Sequence, residues 1–172
     1  MRLDDDINDG SWLLTPAEQA LVMAKNNANR LGFALLLLYF RGRGRFPPNL
    51  VGIDAQVRAQ VAQQLGLESE LRDGYDPSHR TWKRCRAEIR AWFGFREATV
   101  ADAEGLEAWL CDQAVSIGGN RDRLAALVTE RCRELAIEPP TAERVDRIVR
   151  AALYAHDERV YADILARLPL LA

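Results

Sequence analysis

The chain is poor in the residues that usually announce chemistry. Of 172 residues only three are cysteine and two histidine. Cys85, Cys111 and Cys132 are odd in number and form no CxxC, which excludes a disulfide framework and fits a reducing, cytoplasmic setting. His79 and His156 stand at no metal-ligand spacing from each other or from the cysteines. The sequence has no glycine-rich phosphate loop, no GxSxG and no HExxH. Gly118-Gly119-Asn120 is a turn signal only. Long apolar runs are also lacking. The longest, Leu31 to Phe40, has ten residues, well short of the roughly 20 needed to span a bilayer. No basic-then-apolar leader opens the chain, which begins Met1-Arg2-Leu3 and continues with three aspartates. These absences leave no marked active site, so neither a metal nor a cofactor nor a catalytic residue is expected, and no membrane.

What is present is helix punctuation. Apolar residues make up 48% and charged residues 28%, enough for a packed core. Residues 1–13 read as an acidic, poorly ordered lead-in. Thr15-Pro16-Ala17-Glu18 is a capping box with proline at the first helical position, and Leu14 stands where a staple residue belongs. That helix should run to about Lys25. A second, over about 30–41, is apolar almost all round and should be central and buried. It should give way to a basic loop, Arg41-Gly42-Arg43-Gly44-Arg45-Phe46-Pro47-Pro48. Asp54 caps a third helix that Gly66 closes. A short helix is read over 68–74. Ser78 should cap a helix to about Phe93, closed by Gly94. Further helices open at Thr99, Asn120 and Thr141, the last running over about 142–168. Period-two alternation is absent, so the expected fold is all-α, a multi-helix bundle of two packed helical subdomains, 14–96 and 97–172, with units of helix-turn-helix rhythm. That rhythm is heard in Val61 to Leu67 and in the sharp turn from Leu135 to Thr141.

A net charge of −2 rules out a uniformly basic nucleic-acid binder but conceals strong segregation. Residues 21–50 carry five basic and no acidic side chains, and residues 80–96 carry six basic and one acidic. Residues 97–130 carry seven acidic and two basic. Basic patches attract polyanions; equally, each zone could pair with an acidic neighbour inside the fold. The helix at 79–93 makes the stronger case for polyanion contact. Its apolar stripe is Trp82, Cys85, Ile89 and Trp92. Lys83 and Arg90 are placed across from that stripe with Arg80 close by, and Arg84 and Arg86 flank it. Three of the four tryptophans, Trp82, Trp92 and Trp109, like the cysteines, are expected in the core. Arg41, Arg43 and Arg45 would sit on a flexible loop and offer phosphate or groove contacts. Arg144 and Arg147 lie in the first turns of the last helix, where recognition helices read bases. The same helix offers a plain structural account: Val145, Ile148, Ala152, His156, Val160 and Ile164 as a buried stripe, with acid–base pairs such as Asp146–Arg150 four residues apart.

The order of several short motifs adds a resemblance. Leu14-Thr15-Pro16-Ala17-Glu18 is followed by Asn29-Arg30-Leu31-Gly32-Phe33-Ala34, then Gly44-Arg45-Phe46-Pro47, then Gln64-Leu65-Gly66. Glu88-Ile89-Arg90 with Phe93-Gly94-Phe95 and Ile137-Glu138-Pro139-Pro140-Thr141 complete the series. Over about residues 14–168 this resembles the N-terminal domain of the Tn-three family of replicative transposases. The resemblance implies a helical domain that binds double-stranded DNA at the terminal inverted repeats of a transposon. In that family a distant C-terminal domain supplies three metal-binding carboxylates, so catalysis is not expected of this chain itself; the remainder of a transposase is an implied partner. The acidic first dozen residues and the arginines at 41 and 43 depart from the family pattern. A helical protein-interaction or regulatory module without nucleic-acid affinity is the competing expectation.

Overall fold

The structure, a computed structural model, describes residues 12–69, 79–117 and 119–167. Most of the expected lead-in and most of the short helix read over 68–74 lie outside these residues. Seven helices follow in order: α1 Pro16–Met23, α2 Asn27–Arg43, α3 Ala55–Leu65, α4 Arg80–Trp92, α5 Val100–Ile117, α6 Arg121–Glu134 and α7 Ala142–Arg167. No strand occurs among the described residues, so the fold is all-α. The chain divides into two compact units, Met1–Phe95 and Arg96–Ala172.

The first unit is built around α2. Asn26 opens this helix by accepting a hydrogen bond from the Ala28 N–H at 3.3 Å. From Leu31 to Phe40 every residue is buried. A helix that is apolar on all sides must be enclosed on all sides, and α1, α3 and α4 each pack against it. α2 continues two residues beyond expectation, through Arg43. Its last turn closes on Gly44, whose φ of 68° lies in the left-handed region and whose N–H donates to the Phe40 carbonyl at 2.7 Å. The stretch from Arg41 to Arg43 is therefore helix and not flexible loop, because the glycine cap comes only after it.

α1 starts as its capping box dictates. The Glu18 N–H donates to the Thr15 hydroxyl at 3.3 Å, and the Glu18 carboxylate accepts the Thr15 N–H at 2.8 Å. Glu18 is only 4% exposed, the one buried charged residue among those described. Burying a carboxylate demands a partner. Arg41 supplies it at 2.7 Å from the last turn of α2, and its second nitrogen donates to the Leu13 carbonyl at 3.0 Å. Gln64 on α3 ties down the segment before α1: it donates to the Trp12 carbonyl at 2.8 Å and accepts the Leu14 N–H at 2.9 Å. Trp12 is itself buried in the core. α3 begins at Asp54, which caps the Gln56 N–H, and ends at Gly66 with φ 64°.

Close packing of α4 on α2 depends on Gly32. A Cβ there would lie 2.6 Å from the edge of the buried Trp82 ring and 3.4 Å from Leu50. Around the far end of α2, Phe40 gathers three rings, with centroids of Phe46, Phe95 and Phe93 at 4.6, 5.3 and 5.8 Å. α4 is capped by His79, whose Nδ1 accepts the Thr81 N–H at 3.3 Å. The cap expected at Ser78 falls outside the described residues.

The second unit packs α5, α6 and α7 against one another over Leu106, Leu110, Leu124, Val128, Val145 and Val149 with Cys111 and Cys132. Asn120 caps α6 by accepting the Arg123 N–H at 3.1 Å. α6 ends at a residue in the left-handed region that is not glycine, Ala136 with φ 52°. There the Ile137 N–H reaches back to the Cys132 carbonyl at 2.8 Å. A single bridge joins Arg96 to the connector that follows, through the Arg96 N–H to Ala136 and the Glu138 N–H to Arg96 at 3.0 and 2.8 Å. At the start of α5, Arg96 grips Asp102 through two hydrogen bonds of 2.6 and 2.7 Å, and the Thr99 hydroxyl donates to the same carboxylate at 2.6 Å. All three cysteines are buried and free; desolvation, helped by the Asp102 charge, pushes the Cys132 thiol up to about 11.

Two outcomes follow from this packing. Gly32→Ala forces the Trp82 ring off its seat and should cost on the order of 1–3 kcal/mol, the usual range for overpacking, read by chemical denaturation; unchanged stability would contradict the close contact. Asp102 is held well below the usual carboxylate range by Arg96 first and by Thr99 next. A depressed carboxyl stabilises the fold above its unfolded pKa, at about pH 4, and that stabilisation is lost as pH falls through the folded value. Asp102→Asn should therefore lower Tm at neutral pH, and the gap to the parent should narrow below about pH 4. A gap independent of pH would contradict the assignment.

Candidate nucleic-acid interface

The six cations predicted between residues 80 and 96 divide according to what packs beside α4. Trp82, Cys85 and Ile89 are buried and seat the helix on the core. Arg80, Lys83 and Arg84 are exposed, and so are Ala87 and Ala91 in the turns that follow them. This outward face carries three positive charges set among small side chains. Glu88, the one acid of the helix, sits on the flank and forms an ion pair with Lys25.

Arg86 and Arg90 behave differently from expectation. Both are half-buried. Their guanidinium carbons lie 5.0 and 5.9 Å from the Phe46 ring centroid, and Arg86 donates to the Pro47 carbonyl at 3.3 Å. Arg90 is thus not opposite the buried stripe; it shares a flank with Arg86, one turn away. The cause is Phe46, which the turn after α2 delivers against that flank, where its ring face attracts the cations. Arg45, just before Phe46, is exposed.

Most of the other basic zone is absorbed internally. Lys25 pairs with Glu88 and lies 4.7 Å from the Phe33 centroid. Arg30 donates to the Lys25 and Met23 carbonyls at 3.0 and 2.9 Å, satisfying the exposed end of α1. Arg41 is held by Glu18, and Arg43 is half-buried. Residues 21–43 thus turn largely inward, as the internal-pairing reading has it, whereas Arg80, Lys83 and Arg84 of α4 are exposed.

Two tryptophans are where the core reading puts them. Trp82 is buried, and Trp109 is half-buried against the second core with Arg131 at 5.5 Å from its ring. Trp92 is a correction: it is 46% exposed at the last position of α4. The chain turns away immediately afterwards at Gly94, φ 73°. Phe93 and Phe95 then pack beside Phe40. Arg144 and Arg147 belong to the second unit. Arg144 is half-buried, with its N–H directed to the Thr141 hydroxyl at 3.4 Å, and Arg147 is exposed. Asp146 and Arg150 pair at 3.3 Å as their spacing predicts. The buried stripe expected along α7 holds for Val145, Ile148 and Ala152 but not beyond: His156 is half-buried, and Val160 and Ile164 are exposed. The reason is that the α7 core contacts end near Ala152 while the helix runs on.

Sequence reasoning missed the second duty of Glu18 and the arginine-gathering role of Phe46. Local signals existed for each, a capping box and an Arg-Phe-Pro turn, but their partners stand 23 and 40 residues away. Among the described residues no cluster of three or more histidine, cysteine or acidic side chains could hold a metal ion, and no helix is long and apolar enough to cross a membrane.

Residues 4–152 match the sequence profile of a family described as a domain of unknown function, DUF4158. The chain is also similar to the transposase for transposon Tn3926 of Escherichia coli, 29% identical over 139 residues. That alignment covers 78% of this chain and 14% of the transposase, so the chain spans a small part of the curated relative's length.

Proposed function

The chain belongs to the DUF4158 family, and we propose that it is a DNA-binding domain acting in DNA transposition. In this reading it contacts duplex DNA at the terminal inverted repeats of a transposon, and strand cleavage is left to another part of a transposase. The observation that carries the proposal is the outward face of α4. Arg80, Lys83 and Arg84 project there among alanines, with the lone acid of the helix turned aside to Lys25. Small residues beside the cations let a phosphate backbone approach closely, and cations at successive turns match its repeat of charge. Arg86 and Arg90 over Phe46 add positive potential on the flank of the helix, and Arg45 is a further exposed cation. Arg41 serves the fold, by neutralising Glu18, and is not assigned to DNA. The similarity to a transposase supports transposition as the setting.

The test is charge reversal of exposed side chains. Lys83→Glu with Arg84→Glu should weaken binding to a labelled duplex by at least about tenfold, for all sequences alike, and flatten its salt dependence by roughly one unit of log–log slope per lost contact. Circular dichroism and Tm should be unchanged, because neither side chain is buried. Undiminished affinity in the folded double variant would remove α4 from the interface.

A further inference from the structure

The last helix outruns its own core. α7 buries Val145, Ile148, Val149 and Ala152, yet from Asp157 to Arg167 every residue is exposed. Arg159 fastens this part to α5 through Asp112 at 2.7 Å. A helix standing in water is ordinarily polar. Here Tyr154, Tyr161 and Leu165 are 69%, 66% and 69% exposed, and Val160 and Ile164 are exposed as well.

One outward set is ordered, with Arg144 and Ala151 half-buried and the others exposed. Arg144, Arg147, Ala151, Tyr154, Glu158 and Tyr161 follow one another at alternating spacings of three and four residues. On a helix this places them within an arc of about 100°, on the side away from Val145 and Ala152, over a length of about 25 Å. Alternating threes and fours are the seam spacing of paired helices.

We infer that this seam is the contact surface for a second copy of the chain, packed antiparallel about a two-fold axis at Ala152 and Leu153. The charges select that occupant. An isologous two-fold contact sets residue i on j and j on i. About this axis Arg147 meets Glu158 of the second copy and Glu158 meets its Arg147. Ala151 faces Tyr154, small against large, and Arg144 faces the ring of Tyr161. A parallel pairing in register would set arginine on arginine and glutamate on glutamate, which repel. Tyrosine suits such a surface, because its ring can be buried while its hydroxyl stays wet. Arg144 and Arg147, which the sequence offered to DNA, are here assigned to the contact between copies. The inference does not rest on DNA binding, and its test contains no DNA.

Sedimentation velocity of the full chain over a concentration series should show a reversible monomer–dimer equilibrium. Arg147→Glu and Glu158→Arg should each weaken it by about tenfold or more, and the double variant R147E/E158R should restore it. These side chains are exposed, so circular dichroism should be the same for all. A chain that stays monomeric at every concentration would overturn the inference and hand the stripe to another partner. A dimer that neither single change weakens, or that the double swap fails to restore, would overturn the antiparallel register.

Discussion

Enclosure of α2 governs the first unit. Ten consecutive residues, Leu31 to Phe40, are buried, and full burial of each large apolar side chain contributes about 1.5–3 kcal/mol. Nothing else in the unit offers a comparable driving force. It obliges α1, α3 and α4 to give up one face each, and therefore decides which residues of those helices remain outside. Trp82, Cys85 and Ile89 turn in because α2 is there; Arg80, Lys83 and Arg84 turn out for the same reason. The candidate binding face is thus a by-product of core packing, made precise at one point by Gly32, where the Trp82 ring approaches too closely for any Cβ.

The cations near this core are of three kinds, and the distinction is energetic. Arg41 neutralises a carboxylate that is almost wholly buried, so removing either partner would leave the other charge stranded, a costly state. Arg86 and Arg90 lie over Phe46, half-withdrawn from water, where ring attraction offsets part of their lost hydration. Arg80, Lys83 and Arg84 keep their hydration and give it up only to a partner with compensating charge. A count of basic residues treats these alike. Only the third kind is poised for a polyanion without first breaking the fold.

Much of the architecture was legible because its signals are local. Thr15 with Glu18, Asp54 with Gly66, Asn120 and Thr141 all mark helix ends where the structure has them, since a cap is satisfied by backbone within a few residues. The all-apolar run predicted a central helix for an equally local reason. What was not legible depended on distant partners. Trp92 looked like core by spacing, but it is exposed, and Phe93 and Phe95 pack beside Phe40. Arg90 looked like an outward cation until Phe46 arrived beside it. Val160 and Ile164 continued a stripe whose neighbours had ended. The cationic face itself was half-readable: helix and charge excess were visible, but the split between outward and ring-bound arginines was not. The α7 seam went unseen because its arginines, Arg144 and Arg147, were read as DNA contacts.

The central claim is that the outward face of α4 binds duplex DNA through its phosphates. The most direct measurement is the affinity of the intact chain for a labelled duplex at about 50 and about 200 mM salt. Four phosphate contacts would release enough counterions to weaken binding about a hundredfold between those two conditions. A steep fall of that order is the result expected. Affinity indifferent to salt, or no binding at the lower concentration, would contradict the account.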